Sequence, residues 1–278
     1  MTVEDEMERL SDFLREHAEG DLVPWRCQVE LADRFSISLA EAERAILEAG
    51  LLPARYQRNR NMLTTGQQLR LCQSRVAVVG CGGLGGYIIE ELARLGVGRI
   101  TAIDPDVFEE HNLNRQLLSS PLQLGCAKVE AAVRRVGEIN PAVTVIPLRQ
   151  TLSRENGREL LSGADVVLDG LDAIAPRLAL AESCGELSIP FVHGAIAGWY
   201  GQITTLLPGD DVSPRIFQTQ AENRGIEKRL GNPSFTPAVI ASLQVAEACK
   251  ILLDEGKGLK KRMLFINLLD MEFVGIDL

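Results

Sequence analysis

The sequence predicts an α/β protein built on a doubly wound, mostly parallel sheet, with a small helical extension in front of it. Three observations carry that expectation. From residue 74 onward, short β-branched runs alternate with helical patterns at the spacing of strand-helix-strand units. The first run, Arg75-Val76-Ala77-Val78-Val79, leads into the glycine-rich turn Gly80-Cys81-Gly82-Gly83-Leu84-Gly85-Gly86. The second run ends in an acid, Asp104. Strand, glycine turn, helix and terminal acid together form the nucleotide-binding unit of a Rossmann-like sheet.

Taken in order, residues 1–54 read as the helical extension. Met7, Leu10, Phe13 and Leu14 recur at helical spacing. Ser38-Leu39-Ala40-Glu41 fits a capping box that opens another helix, ending at Gly50 with Pro53 just beyond. The pattern is similar to a helix-turn-helix, but acids outnumber bases, which favours a packing appendage. Residues 55–278 then form the main domain. Strands are expected at 75–80, 99–103, 143–147, 165–168, 191–194, 201–207 and 263–268, with helices at 84–95, 125–139 and 237–253. The polar, turn-rich segment 209–233 reads as a mobile substrate or crossover loop.

Composition bounds the function. Thirty-eight acids against 29 Lys and Arg give a net charge of -9, which leaves no electrostatic footprint for nucleic acid. No apolar run is expected to cross a bilayer, and the acidic N-terminus lacks the order of a signal peptide, so a cytoplasmic location is expected. The six cysteines are scattered without a CxxC pair, which argues against zinc and against disulfides.

The glycine turn and Asp104 point to an adenine nucleotide without saying which. The residues around them narrow it. Asn112-Leu113-Asn114-Arg115-Gln116 follows Asp104, Lys128 comes next, Arg55-Tyr56-Gln57-Arg58 lies upstream, and Asp169-Gly170-Leu171-Asp172 ends a strand-like run. A hydride-transfer enzyme has no need for three strong cations near its glycine loop. Nucleotidyl transfer does, because charge builds on the phosphates as pyrophosphate leaves. An acid at a strand end can hold the magnesium that bridges them.

This constellation resembles the MoeB/ThiF/HesA family, bacterial relatives of the ubiquitin-activating enzymes, over about residues 55–278. By that resemblance Gly80, Gly82, Gly83 and Gly85 form the nucleotide loop and Asp104 binds the ribose of ATP. Asn112, Arg115 and Lys128 contact the triphosphate. Asp172 organises Mg2+ and stands nearest the reacting carboxylate. Arg58 matches the family's arginine finger, which reaches into the neighbouring subunit's site, so a homodimer is implied. The implied activity is adenylation of the C-terminal glycine of a ubiquitin-like, β-grasp sulfur-carrier protein with a Gly-Gly tail. An external sulfur donor would follow, in molybdopterin, tungsten-cofactor, thiamin or cysteine synthesis.

The chain departs from the family in four places. It lacks the paired CxxC motifs, so no zinc is expected. Arg229-Leu230-Gly231-Asn232-Pro233-Ser234 holds no cysteine, and Cys184 has no base beside it in sequence. Ala173 follows Asp172 where relatives usually carry a polar residue, and the 1–54 extension is additional. Asp169 reads as structural rather than catalytic, Arg55 as a partner of a surface acid, and Asp106 either as an aid to the metal or as a turn cap after Pro105. The alternatives are adenylation of a carboxyl on a modified adenosine of tRNA, a nucleotide-binding scaffold without turnover, and a nicotinamide oxidoreductase.

Overall fold

Residues 3–210 and 227–278 are described by a computed structural model. Most of the segment expected to be a mobile loop, residues 211–226, lies outside the described residues.

The extension folds as three helices, α1 (Val3–His17), α2 (Trp25–Phe35) and α3 (Leu39–Glu48). Phe13, Leu14, Leu31 and Ile46 form its own small core. Both bonds of the capping box are present, with Ser38 accepting from the Glu41 N–H and the Glu41 carboxylate accepting from the Ser38 N–H. The outward side of α3 carries Glu41, Arg44 and Glu48. Short strands β1 (Leu22–Val23) and β2 (Leu52–Pro53) pair in parallel and return the chain to the main domain.

After α4 (Thr65–Gln73), the main sheet is built from β3 (Arg75–Val79), β4 (Arg99–Ile103), β5 (Thr144–Leu148), β6 (Val166–Asp169) and β7 (Phe191–Ala197), all parallel. It continues antiparallel through β8 (Tyr200–Leu206), β9 (Arg262–Asn267) and β10 (Glu272–Asp277). The order is β10-β9-β8-β7-β6-β3-β4-β5. Strand order therefore reverses between β3 and β6, where a crevice opens at the carboxyl ends of open α/β sheets.

Alternation along the strands covers both faces. Val76, Val78, Ile100 and Leu168 face α4, α5 (Gly83–Leu95), α6 (Lys128–Ile139) and α10 (Phe235–Leu253). Ala77, Val79, Ile103 and Val167 face α7 (Gly157–Leu161) and α8 (Ile174–Leu187) on the other side. A short helix α9 (Glu227–Leu230) precedes α10. Helix α10 corrects one sequence expectation, since by length and composition it is apolar enough to cross a membrane. Its apolar residues Ile240, Ala241, Val245 and Ala248 are instead buried against the sheet. The sheet also runs one strand beyond the expected last one, because β10 folds back on β9 with every residue exposed.

Candidate active site

The glycine turn sits at the strand-order reversal because only backbone fits there. Gly80 has φ +90°, and a Cβ on it would lie 2.5 Å from the Gly170 carbonyl oxygen. A Cβ on Gly85 would collide with the Gly80 carbonyl oxygen. The loops after β3 and β6 thus touch main chain to main chain. Gly82 and Gly83 serve differently. Their nearest neighbours to an added Cβ are side chains, Gln116 at 3.4 Å and Pro237 at 3.7 Å, and both glycines line a cleft. With no side chain there, the start of α5 presents its N–H groups to whatever fills the cleft.

That cleft has a volume of about 820 Å³. At one end it is bounded by the glycine turn, Asp104, Lys128, Arg115 and the Gln150-Thr151-Leu152 segment. Its lining also takes in Asp172 and the face of β7, β8 and β9 that carries Ala195, Ala197, Tyr200, Gly201 and Phe265. Gln116 is buried beside Gly82, and its Oε1 has no hydrogen-bond partner among the described residues. A buried amide oxygen left in this way fits a ligand donor, and the side-chain-free cradle beside it fits a phosphate.

Asp104 is buried at the end of β4. Its carboxylate accepts from the Cys81 N–H at 2.7 Å and the Asp106 N–H at 2.8 Å. Burial raises its pKa, against which the Lys128 ammonium, 3.9 Å away, holds the charge. Lys128, at the first turn of α6, pairs more closely with Asp106 at 3.0 Å. The turn is closed by Asp104, which accepts from the Asp106 N–H, while the Asp106 carboxylate orients the lysine. Arg115 bonds the His111 carbonyl and the Asn114 side chain, both at 2.9 Å. Burial lowers its pKa, and the Asp172 charge opposes that shift.

Asn112 is buried, and its Oδ1 accepts from the Glu109 N–H at 2.9 Å. It lines a smaller adjoining hollow with Lys128 and Arg149 and does not line the main cleft. Its backbone carbonyl accepts from Arg115 and Gln116, so it fixes the turn that presents both. Arg58 is exposed and stands outside the cleft, with no hydrogen bond or ion pair among the described residues. Among the described residues Arg55 forms no ion pair with an acid. Its guanidinium stacks over Trp25 at 4.9 Å and donates to the Ile139 carbonyl.

The turn bearing Asp172 is held from below by a network that the sequence did not suggest. Asp169 is fully buried, and one of its carboxylate oxygens accepts from His193 Nδ1 at 2.6 Å and Arg177 Nε at 3.0 Å. Its other oxygen accepts from the Leu171 N–H, while Arg177 also donates to the Leu171 carbonyl. Burial lowers the His193 pKa, so the neutral ring donates through Nδ1–H. Both polar groups of Leu171 are thereby tied, and Asp172 follows directly. The available signals were an arginine five residues after Asp172 and one of only three histidines in the chain.

Among the described residues no cysteine lines the cleft. Cys184 is buried, and burial pushes its thiol up to about 12, which removes it as a nucleophile at neutral pH. No cluster of three metal-ligating side chains exists among the described residues. Asp172 alone, exposed at the cleft, fits a cation whose other ligands are phosphate and water oxygens.

The ThiF family profile matches residues 56–277, starting where the extension ends. The SAMP-activating enzyme E1 of Haloferax volcanii is 39% identical over 223 residues, covering 79% of this chain and 83% of that protein. The molybdopterin-synthase adenylyltransferase of Escherichia coli is 34% identical over 208 residues, covering 74% and 84% respectively. Among solved structures, E. coli MccB matches with a TM-score of 0.68 at 20% identity, over 80% of this chain and 69% of that one. The E. coli tRNA N6-threonylcarbamoyladenosine dehydratase matches at 0.62 and 23% identity, over 72% and 95%. At such identities the likeness to these structures is one of fold. By profile and by sequence identity, the chain belongs to the ThiF family.

Proposed function

We propose that this chain is an adenylyltransferase that uses ATP to activate the C-terminal glycine carboxylate of a ubiquitin-like sulfur-carrier protein. One observation carries the reading. A single cleft joins a glycine cradle and two cations, Arg115 and Lys128, to Asp172 and to a stretch of sheet where Ala195, Ala197 and Gly201 leave room between Tyr200 and Phe265. A flexible tail without side chains is what such a space admits. The relatives named for activating small modifier proteins and for molybdopterin-synthase adenylylation support the same assignment.

The chemistry asks little of the protein beyond placement and charge. Gly82 and Gly83 cradle the phosphates, Gly80 and Gly85 act by letting the turn close main chain to main chain and not, as the sequence suggested for Gly85, by lining the cleft, and Asp104 holds the ribose. A carboxylate oxygen of the tail attacks the α-phosphorus. The bond to the α,β-bridging oxygen breaks, and its electron pair leaves with pyrophosphate. Lys128 and Arg115 stabilise the charge on that leaving group, with Asn112 fixing the turn that aims Arg115. Magnesium held by Asp172 and the phosphates would neutralise further charge.

Arg58 serves a second copy of the chain in a homodimer, a reading supported by its exposed position outside the cleft and by its having no side-chain partner among the described residues. The sulfur comes from an external donor, a reading supported by a cleft that no cysteine lines among the described residues. The deciding experiment is exchange of labelled pyrophosphate into ATP with candidate Gly-Gly-tailed proteins. Exchange should depend on the carrier and vanish in Asp172→Ala. Exchange stimulated by tRNA and not by any such protein would overturn the substrate assignment.

A further inference from the structure

The family match begins at residue 56, so nothing in it accounts for the three-helix extension. What the extension touches does. Residues 54–63 are a run of tight turns, with the Gln57 N–H bonded to the Ala54 carbonyl and the Asn59 N–H to the Tyr56 carbonyl. Arg58 stands in the middle, exposed and untied.

The extension grips this run on both sides of Arg58. On the near side, Trp25 of α2 lies under the Arg55 guanidinium, and the Glu43 carboxylate of α3 accepts from the Tyr56 hydroxyl at 2.9 Å. On the far side, Asp21 pairs with Arg60. The Leu52 N–H bonds the Asp21 carbonyl, so the entry to the run is tied as well. Tyr56 is 1% exposed and joins the extension to the main domain. Its hydroxyl accepts from Asn140 Nδ2 at 2.9 Å, and the same amide donates to the Ala93 carbonyl.

A packing appendage needs only apolar contact. Here polar and stacking ties from three separate elements fall within three residues of Arg58. Holding an exposed turn in one conformation costs chain entropy, and the ties offset that cost before any partner arrives.

We propose that the 1–54 extension is a positioning device for Arg58, with Glu43, bonded to Tyr56 of the turn run, as its buried centre and Trp25 and Asp21 as its rim. The inference rests on the reading of Arg58 as a cation supplied to the second copy's cleft. Glu43 and Tyr56 touch no substrate and act through the turn they hold. The extension thus pre-organises a residue that works in the other subunit.

The test sorts variants by mixing, using the full-length chain. Two clamp variants are made, a rim variant Asp21→Ala/Trp25→Ala and a centre variant Tyr56→Phe, which keeps the ring volume. In carrier-dependent pyrophosphate exchange, each should lower kcat about tenfold while KM for ATP stays within about twofold. Mixed with Asp172→Ala, each should regain activity, because the hybrid pairs an intact cleft with a properly held arginine. Mixed with Arg58→Ala, neither should recover, since both chains lack a usable arginine. Recovery with Arg58→Ala, or unaltered kcat in both variants, would overturn the positioning role while leaving Arg58 itself in place. If Arg58→Ala and Asp172→Ala fail to complement each other, the supply of Arg58 between subunits falls, and the inference falls with it. The rim variant alters exposed side chains and keeps the test decisive should Tyr56→Phe not fold.

Discussion

Replacing Glu43 by glutamine should remove a pH dependence from the protein's stability. Glu43 is 1% exposed, and its Oε2 has no hydrogen-bond partner among the described residues. Burial raises its carboxyl from an ordinary 4.5 to about 7, with the Tyr56 hydrogen bond and the Arg55 charge pulling the other way. The folded state therefore keeps a proton that the unfolded chain gives up at lower pH. By linkage, stability is fully present below the ordinary carboxylate pKa and is lost as pH rises through about 7. At about 1.4 kcal/mol for each pH unit of the difference, the loss across that window is about 3 kcal/mol.

The glutamine in Glu43→Gln keeps an oxygen for the Tyr56 hydroxyl and cannot ionise. Its amide lacks a partner where Oε2 stood, but so does the carboxylic O–H of the wild-type protein at low pH. The two proteins should therefore agree within about 1 kcal/mol near pH 5, and the variant should be about 2–3 kcal/mol more stable near pH 8. Denaturant unfolding of both proteins over that range measures the difference, in which all other titrating groups cancel. Parallel stability curves would refute the reasoning, since they would mean that Glu43 is ionised in the fold and finds compensation elsewhere.

Other perturbations separate roles within the cleft. Gly85→Ala drives a Cβ into the Gly80 carbonyl and should cost several kcal/mol of stability in a melting experiment, whereas Gly83→Ala should fold normally and raise KM for ATP. Arg115→Met and Lys128→Met should each lower kcat for pyrophosphate exchange about 10²- to 10³-fold, and a loss below tenfold would remove that residue from leaving-group stabilisation. Arg177→Met leaves the buried Asp169 charge with one partner fewer and should destabilise by about 3–5 kcal/mol. Its kcat should fall further than in Arg177→Lys, which keeps a cation beside the carboxylate. Equal kcat in the two variants would mean that the network does not position Asp172.

The parts of this fold that were legible from sequence are those decided by local pattern. The run at 75–79, the glycine turn and the helix after it share one short stretch, where strand period, turn chemistry and helix period all point the same way. The Ser38 capping box needs only four residues and is present as read. Strand β10 escaped because its alternation never meets a core, and period-2 patterning marks a strand only where one face is buried. Asp169 was read as structural, and its contacts are structural, yet its purpose could not be seen from the chain alone. His193 reaches it only through the parallel register that sets Val167 beside Phe191 and Leu168 beside Val192. Arg177 reaches it only because α8 starts where it does. The same holds for the 54–63 run. Arg58 was singled out by its neighbours in sequence, but the ties at Glu43, Trp25 and Asp21 come from residues 15 to 37 positions before it along the chain. The residues expected to meet the nucleotide stand on turns short enough to carry a motif. The side chains that hold those turns still come from wherever the sheet and the extension deliver them, and no local pattern records that.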